Sequence, residues 1–132
     1  MKNSVKHLTP SEMKIVMDSL VVAENIHIVS VESEKLNSLE DYFSLISALF
    51  EFPTKCHNFS SYLDWIKDLS WLNKKQYVLV FYNYKKSFKG DVALQESILE
   101  DFSDDILPWW QSGVIEFSTD GTPTGFDVYI VE

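Results

Sequence analysis

Residues 77–83, Tyr-Val-Leu-Val-Phe-Tyr-Asn, are apolar almost without interruption. A strand with one face in water alternates polar and apolar side chains, and this run does not. It predicts a strand covered on both faces, the environment of a parallel sheet layered between helices.

The other segments fit around that strand. Residues 26–31, IHIVSV, are β-branched and apolar and read as a strand. Residues 126–131, FDVYIV, read as a last one, and 113–117, GVIEF, as a candidate short one before the turn-rich stretch 118–125. Thr9-Pro10-Ser11-Glu12 has the form of a capping box with Pro at the first helical position. Met13, Val16, Met17 and Leu20 follow at helical spacing and predict a helix over 10–20.

Ser38 opens a second helix, with Asp41 at the capping-box position and Leu39, Tyr42, Phe43, Ile46, Leu49 and Phe50 as its apolar stripe; Pro53 ends it. Residues 54–58 read as a loop. Asn58 then caps a third helix, with Phe59, Tyr62, Leu63, Ile66 and Leu69 on one face. Ser60, Asp64 and Asp68 lie four apart on another. Asp91 caps a fourth helix, where Leu94, Ile98, Phe102 and Ile106 repeat every four residues and Pro108 marks the end. Strands alternating with helices predict an α/β layer fold: a compact three-layer arrangement of a small, mostly parallel three-stranded sheet and about four helices. A chain of 132 residues is the size of one domain and needs no staple to bury a core.

Twenty Asp and Glu stand against eleven Lys, with no Arg, for a net charge of −9. That balance argues against a nucleic-acid partner, whose backbone calls for clustered cations. It suits a cationic protein, because opposite fields steer encounter, and it equally suits simple solubility. The single cysteine, Cys56, excludes an internal disulfide. The first residues lack the apolar run of a secretory signal, and no stretch approaches the roughly 18 apolar residues of a membrane helix. A reducing cytoplasm is the simplest setting.

Motifs for catalysis are thin. Gly90, Gly113, Gly121 and Gly125 do not have the spacing of a phosphate-binding loop. Cys56-His57 could pair a thiol with a base, but no orienting third group is evident. His7, His27 and His57 do not fall at ligand-like spacing, so neither a metal nor a cofactor is expected. Two groups of acids remain: Asp64 with Asp68 on the third helix, and Glu100, Asp101, Asp104 and Asp105 in the last turns of the fourth. Acids near a helix C-terminus oppose the macrodipole at up to about 1 kcal/mol each, which points to a use for Asp104 and Asp105. The alternatives are a solvated polar face, or a pair of carboxylates dividing acid and base roles in a hydrolase.

Several of these segments, in this order and spacing, resemble the barstar family of ribonuclease inhibitors. They are the strand IHIVSV, a helix ending in FEFP, and a stretch from Pro53 through Asn58 to Trp71. In that stretch an Asn opens a helix, an Asp follows six residues later, and Asp68-Leu69 closes it. The strand QYVLVFYN, the helix segment ESILEDFSD over 96–104 and the ending FDVYIVE complete the likeness, which spans roughly residues 26–131. Members of the family plug the active sites of secreted ribonucleases.

The resemblance implies one barstar-like domain over 1–132, with an additional helix at about 10–20 and an insertion at about 108–125. It implies that the 54–58 loop and the third helix enter the enzyme's cleft. Asp64 matches the family's main anchor, Asp104 a second acid at the rim, and Asn58 the residue that shapes the loop. Lys55, His57, Ser60, Leu63, Asp68 and Asp101 complete the expected partner-facing set. The loop, Thr54-Lys55-Cys56-His57, is one residue shorter than usual and lacks the family's aromatic residue and Gly, and Ser60 stands where an Asp is common. The expected partner is a basic ribonuclease toxin bound 1:1 by a monomer, with no membrane or nucleic acid involved and no enzyme activity. An interaction module for a non-nuclease protein, on the same fold, is the alternative.

Overall fold

The computed structural model describes residues 2–113 and 124–132. Along these residues the chain forms β1 (Val5–Leu8), α1 (Pro10–Leu20), β2 (Ile26–Glu32), α2 (Leu39–Leu49) and α3 (Phe59–Ile66). It continues through β3 (Gln76–Tyr82), α4 (Val92–Asp101), α5 (Leu107–Gln111) and β4 (Gly125–Val131). Short 3-10 segments follow β2 and β3, and a π turn, Phe102–Ile106, joins α4 to α5.

The apolar run is β3, and Tyr77 through Phe81 are all buried, as its composition requires. The sheet order is β1-β4-β3-β2 and every pairing is parallel. Leu79 therefore sits between Val29 and Val128. The side chains of Tyr77, Leu79, Phe81, Phe126, Val128 and Ile130 form the main core with α2, α3, α4 and α5. Val78, Val80, Tyr129 and Val131 point the other way and are covered by Met13, Val16, Met17 and Leu20 of α1. The result is three layers, with one helix on one face and the remaining helices on the other.

Two expectations need correction. The sheet has four strands among the described residues, not three, because Val5–Leu8 adds a strand beside β4. This strand is four residues long, too short for a periodic signal. It is secured by Lys6, which pairs with Asp127 at 2.6 Å, and by the Ser4 N–H, which donates to the same carboxylate at 3.1 Å. The described residues also hold five helices rather than four, because the chain does not leave helical form at Pro108. A proline ring crowds the carbonyl four residues back, here that of Asp104. The π turn just before it widens the backbone, with Leu107 N–H donating to Phe102 five residues back, and Pro108 then sits in the first turn of α5. The candidate strand 113–117 falls, apart from Gly113, outside the described residues.

The caps behave as residue types dictate. Thr9 and Glu12 exchange hydrogen bonds in a full capping box, Ser38 accepts from Asp41 N–H, and Asn58 and Asp91 cap α3 and α4. Asp41 departs from the box: its carboxylate takes the N–H of Asn37, not that of Ser38. Helix α3 is shorter than its apolar spacing predicts. It ends at Ile66, and buried Leu69 lies beyond it in the left-handed region at φ 51°.

Candidate partner-binding site

The loop before α3 is tied from below. Ser47, in α2, donates its hydroxyl to Phe43 O at 2.6 Å and accepts the Cys56 N–H at 3.1 Å; the Cys56 thiol lies 3.2 Å from the same oxygen. Cys56 is buried, while Thr54, Lys55 and His57 are exposed. The adjacent thiol and imidazole thus lie in opposite environments, and a thiol–base pair is not formed.

Asn58 opens α3 by accepting the Ser61 N–H at 2.9 Å, with Ser60 exposed in the first turn. The inner face of α3 is fixed by aromatic contacts. The Tyr62 and Tyr42 hydroxyls meet at 2.7 Å, and Phe59 lies edge-on to Phe43 with centroids 5.3 Å apart. Burial drives both phenols far above the ordinary tyrosine range, so the pair is neutral. Leu63 is half-buried against the core.

Asp64 stands on the outer face. It is exposed, and among the described residues its carboxylate has neither a hydrogen bond nor an ion pair. Asp68 does not share that helical face. It lies past the end of α3, exposed, with its carboxylate accepting the Ser70 N–H at 3.2 Å in a local turn.

The second group of acids falls on the end of α4 and on the π turn. Phe102 and Ile106 of this segment are buried, whereas Asp104 is exposed. Since the helical run continues to Gln111, Asp104 and Asp105 are not at a helix C-terminus. The macrodipole cost expected from sequence therefore does not apply to them. Asp105 is paired with Lys67 at 3.0 Å, which joins the π turn to the end of α3. Asp101 is half-buried. Burial first, and then the charges of Asp105, Glu100 and Asp104, raise its pKa above the ordinary carboxylate value.

Two further side chains close the gap between these elements. Trp109 donates its indole N–H to Lys67 O at 2.7 Å, and Trp110 donates to Ile66 O at 3.0 Å. Lys67 and the two tryptophans were not legible as site residues, since only the fold brings positions some forty apart into contact.

The hydrolase alternative needs a concave pocket around its acids. Three clefts, of about 790, 570 and 310 Å³, are lined by other residues; Asp64, Asp68 and Asp104 line none of them. Among the described residues no group of three or more His, Cys, Asp or Glu could hold a metal ion, and no helix is long and apolar enough to cross a membrane.

Residues 26–118 match a family model described as Barstar (barnase inhibitor). A comparison with curated proteins and one with solved structures each returned no match. The matched stretch begins at β2 and takes in the pinned loop, α3, β3, α4 and the π turn. With well over half of its length matched, and with the acid-bearing helices built on an α/β parallel sheet, the chain belongs to the barstar family.

Proposed function

We propose that this chain is an immunity-type inhibitor that neutralises a basic ribonuclease by placing Asp64 where the enzyme would bind an RNA phosphate. The family is one of ribonuclease inhibitors rather than enzymes. The observation that carries the reading is Asp64 itself: an exposed carboxylate with no cation of its own chain, on a helix whose other face is locked to the core. A ribonuclease concentrates positive charge to bind phosphate and to stabilise its transition state. A preorganised carboxylate answers that charge with short, charge-assisted hydrogen bonds. Asp104, also exposed, supplies the rim contact, and the net charge of −9 steers encounter. Asn58, Ser60, His57, Lys55, Leu63, Asp68 and Asp101 complete the surface that meets the partner. The reading places the chain in the cytoplasm, bound 1:1 to its target, and the single buried thiol suits a reducing compartment.

The test is inhibition of ribonuclease activity, with barnase and with a panel of other basic ribonucleases. The native chain is expected to abolish cleavage by its target. Asp64→Ala is expected to cost about 2–5 kcal/mol of binding, a range set by measured interfaces that include the barstar–barnase complex. Undiminished inhibition by Asp64→Ala would falsify the anchor. A second reading, an interaction module for a non-nuclease protein, draws on the exposed Lys55 in the loop, which a strongly basic cleft repels. It predicts no inhibition of any ribonuclease and tight capture of a different protein.

A further inference from the structure

On a surface that works by negative charge, Lys67 is out of place. It follows Asp64 by one helical turn, and its cation weakens the field that would steer a basic partner. A local function has to account for it. Helix α3 has eight residues, too few to hold its shape by backbone hydrogen bonds alone, and its last carbonyls have no partner within the helix. Leu63 O and Trp65 O are taken by the backbone of the turn that follows, while Ile66 O and the C-cap Lys67 O are satisfied from a distant segment, by Trp110 and Trp109. The Lys67 side chain completes the junction by binding Asp105 in the π turn, where both groups are partly shielded from water. These bonds connect the end of the helix that bears Asp64 to one continuous helical run, the π turn with Asp104 and Asp105 and the α5 that follows it directly.

We propose that Lys67, with Trp109, is a positioning residue: it braces the end of α3 against the π turn and α5 and so holds the two acid-bearing elements at a fixed separation. This rests on the inhibitor reading given above. A fixed spacing removes the ordering cost that the two carboxylates would otherwise incur on meeting a rigid, cationic cleft. Without the brace the end of α3 frays, and Asp64 loses its defined position relative to Asp104.

Charge alone and bracing predict opposite signs. If Lys67 acts only as a charge, Lys67→Met makes the face more negative, and a basic ribonuclease binds faster and more tightly. If Lys67 is a brace, Lys67→Met leaves association as fast or faster, but dissociation speeds up about tenfold, equivalent to about 1.4 kcal/mol. Lys67→Arg restores the native rate. Trp109→Phe, which keeps a ring and removes the N–H, acts in the same direction.

The experiment measures amide hydrogen exchange in the free proteins and association and dissociation with barnase. Exchange is expected to accelerate at residues 63–67 in Lys67→Met and Trp109→Phe, while Val78–Val80 of β3 remain as protected as in the native chain. Unchanged exchange at 63–67, or tighter binding by Lys67→Met, overturns the brace. Failure of the native chain to bind barnase counts against barnase as target, and the exchange result then decides the brace independently.

Discussion

Ser33 is completely buried just beyond β2, and its hydroxyl has no hydrogen-bond partner among the described residues. A polar group buried in this way costs about 1–3 kcal/mol. Ser33→Ala is therefore expected to stabilise the protein, read as a higher urea midpoint with an unchanged slope. Asp101 is the second residue held against its preference. Its raised pKa means that the native state keeps the proton to higher pH than the unfolded chain does. Its contribution favours the fold at acidic pH and turns against it as pH rises from the ordinary value of 3.8 through the raised one. Asp101→Asn is expected to raise the thermal midpoint at pH 7, with a stability gain of less than about 1 kcal/mol because water still reaches the half-buried carboxylate. The gain should disappear below the ordinary carboxylate range. The same substitution is expected to weaken ribonuclease inhibition, so that stability and binding move in opposite directions. The type and exposure of Asp64 were legible from its place on an amphipathic stretch. The environment of Asp101 was not, because it depends first on burial that only the folded chain creates and then on neighbouring acids that include Asp105 in the π turn.

Elements with strong local signals matched their sequence. The start of α1 follows from Thr9, Pro10 and Glu12, and β3 follows from an apolar run that a doubly covered strand accommodates. Helix α3 was legible at its start, where Asn58 caps it, but not at its end. Leu69 continues the apolar spacing yet is buried from a left-handed turn, a conformation that its residue type disfavours and that the surrounding core imposes. The π turn was hidden for a related reason: Pro108 reads locally as a stop, whereas the helical run that continues past it carries Trp109 and Trp110 into hydrogen bonds with the end of α3. At the same scale, Ser47 links α2 to the loop through the Cys56 N–H. Ser47→Ala leaves that buried donor without its partner and is expected to cost about 1–3 kcal/mol. Exchange of the Cys56 amide should rise more than that of β3. Exchange that rises equally in both would show that the bond does not act locally.

At the scale of the molecule, the two faces of the sheet are covered unequally. Among the described residues four helices share one face, while α1 is the one helix over Val78, Val80, Tyr129 and Val131. Removal of residues 1–24, which takes away β1 and α1, is expected to expose this apolar surface. The truncated chain should bind an environment-sensitive hydrophobic dye and lose cooperative unfolding; retention of a sharp native-like transition would show that the face tolerates water. The strand order has a further consequence. Among the described strands β1 has one neighbour, and that neighbour is β4, the strand translated last of the four. A nascent chain still waiting for residues 125–131 holds Val5–Leu8 with nothing to pair against and β3 with one flank open. Until residues 125–131 have emerged from the ribosome, only the β2–β3 pair can form among the described strands, so closure of the sheet waits on β4, which is joined from both sides.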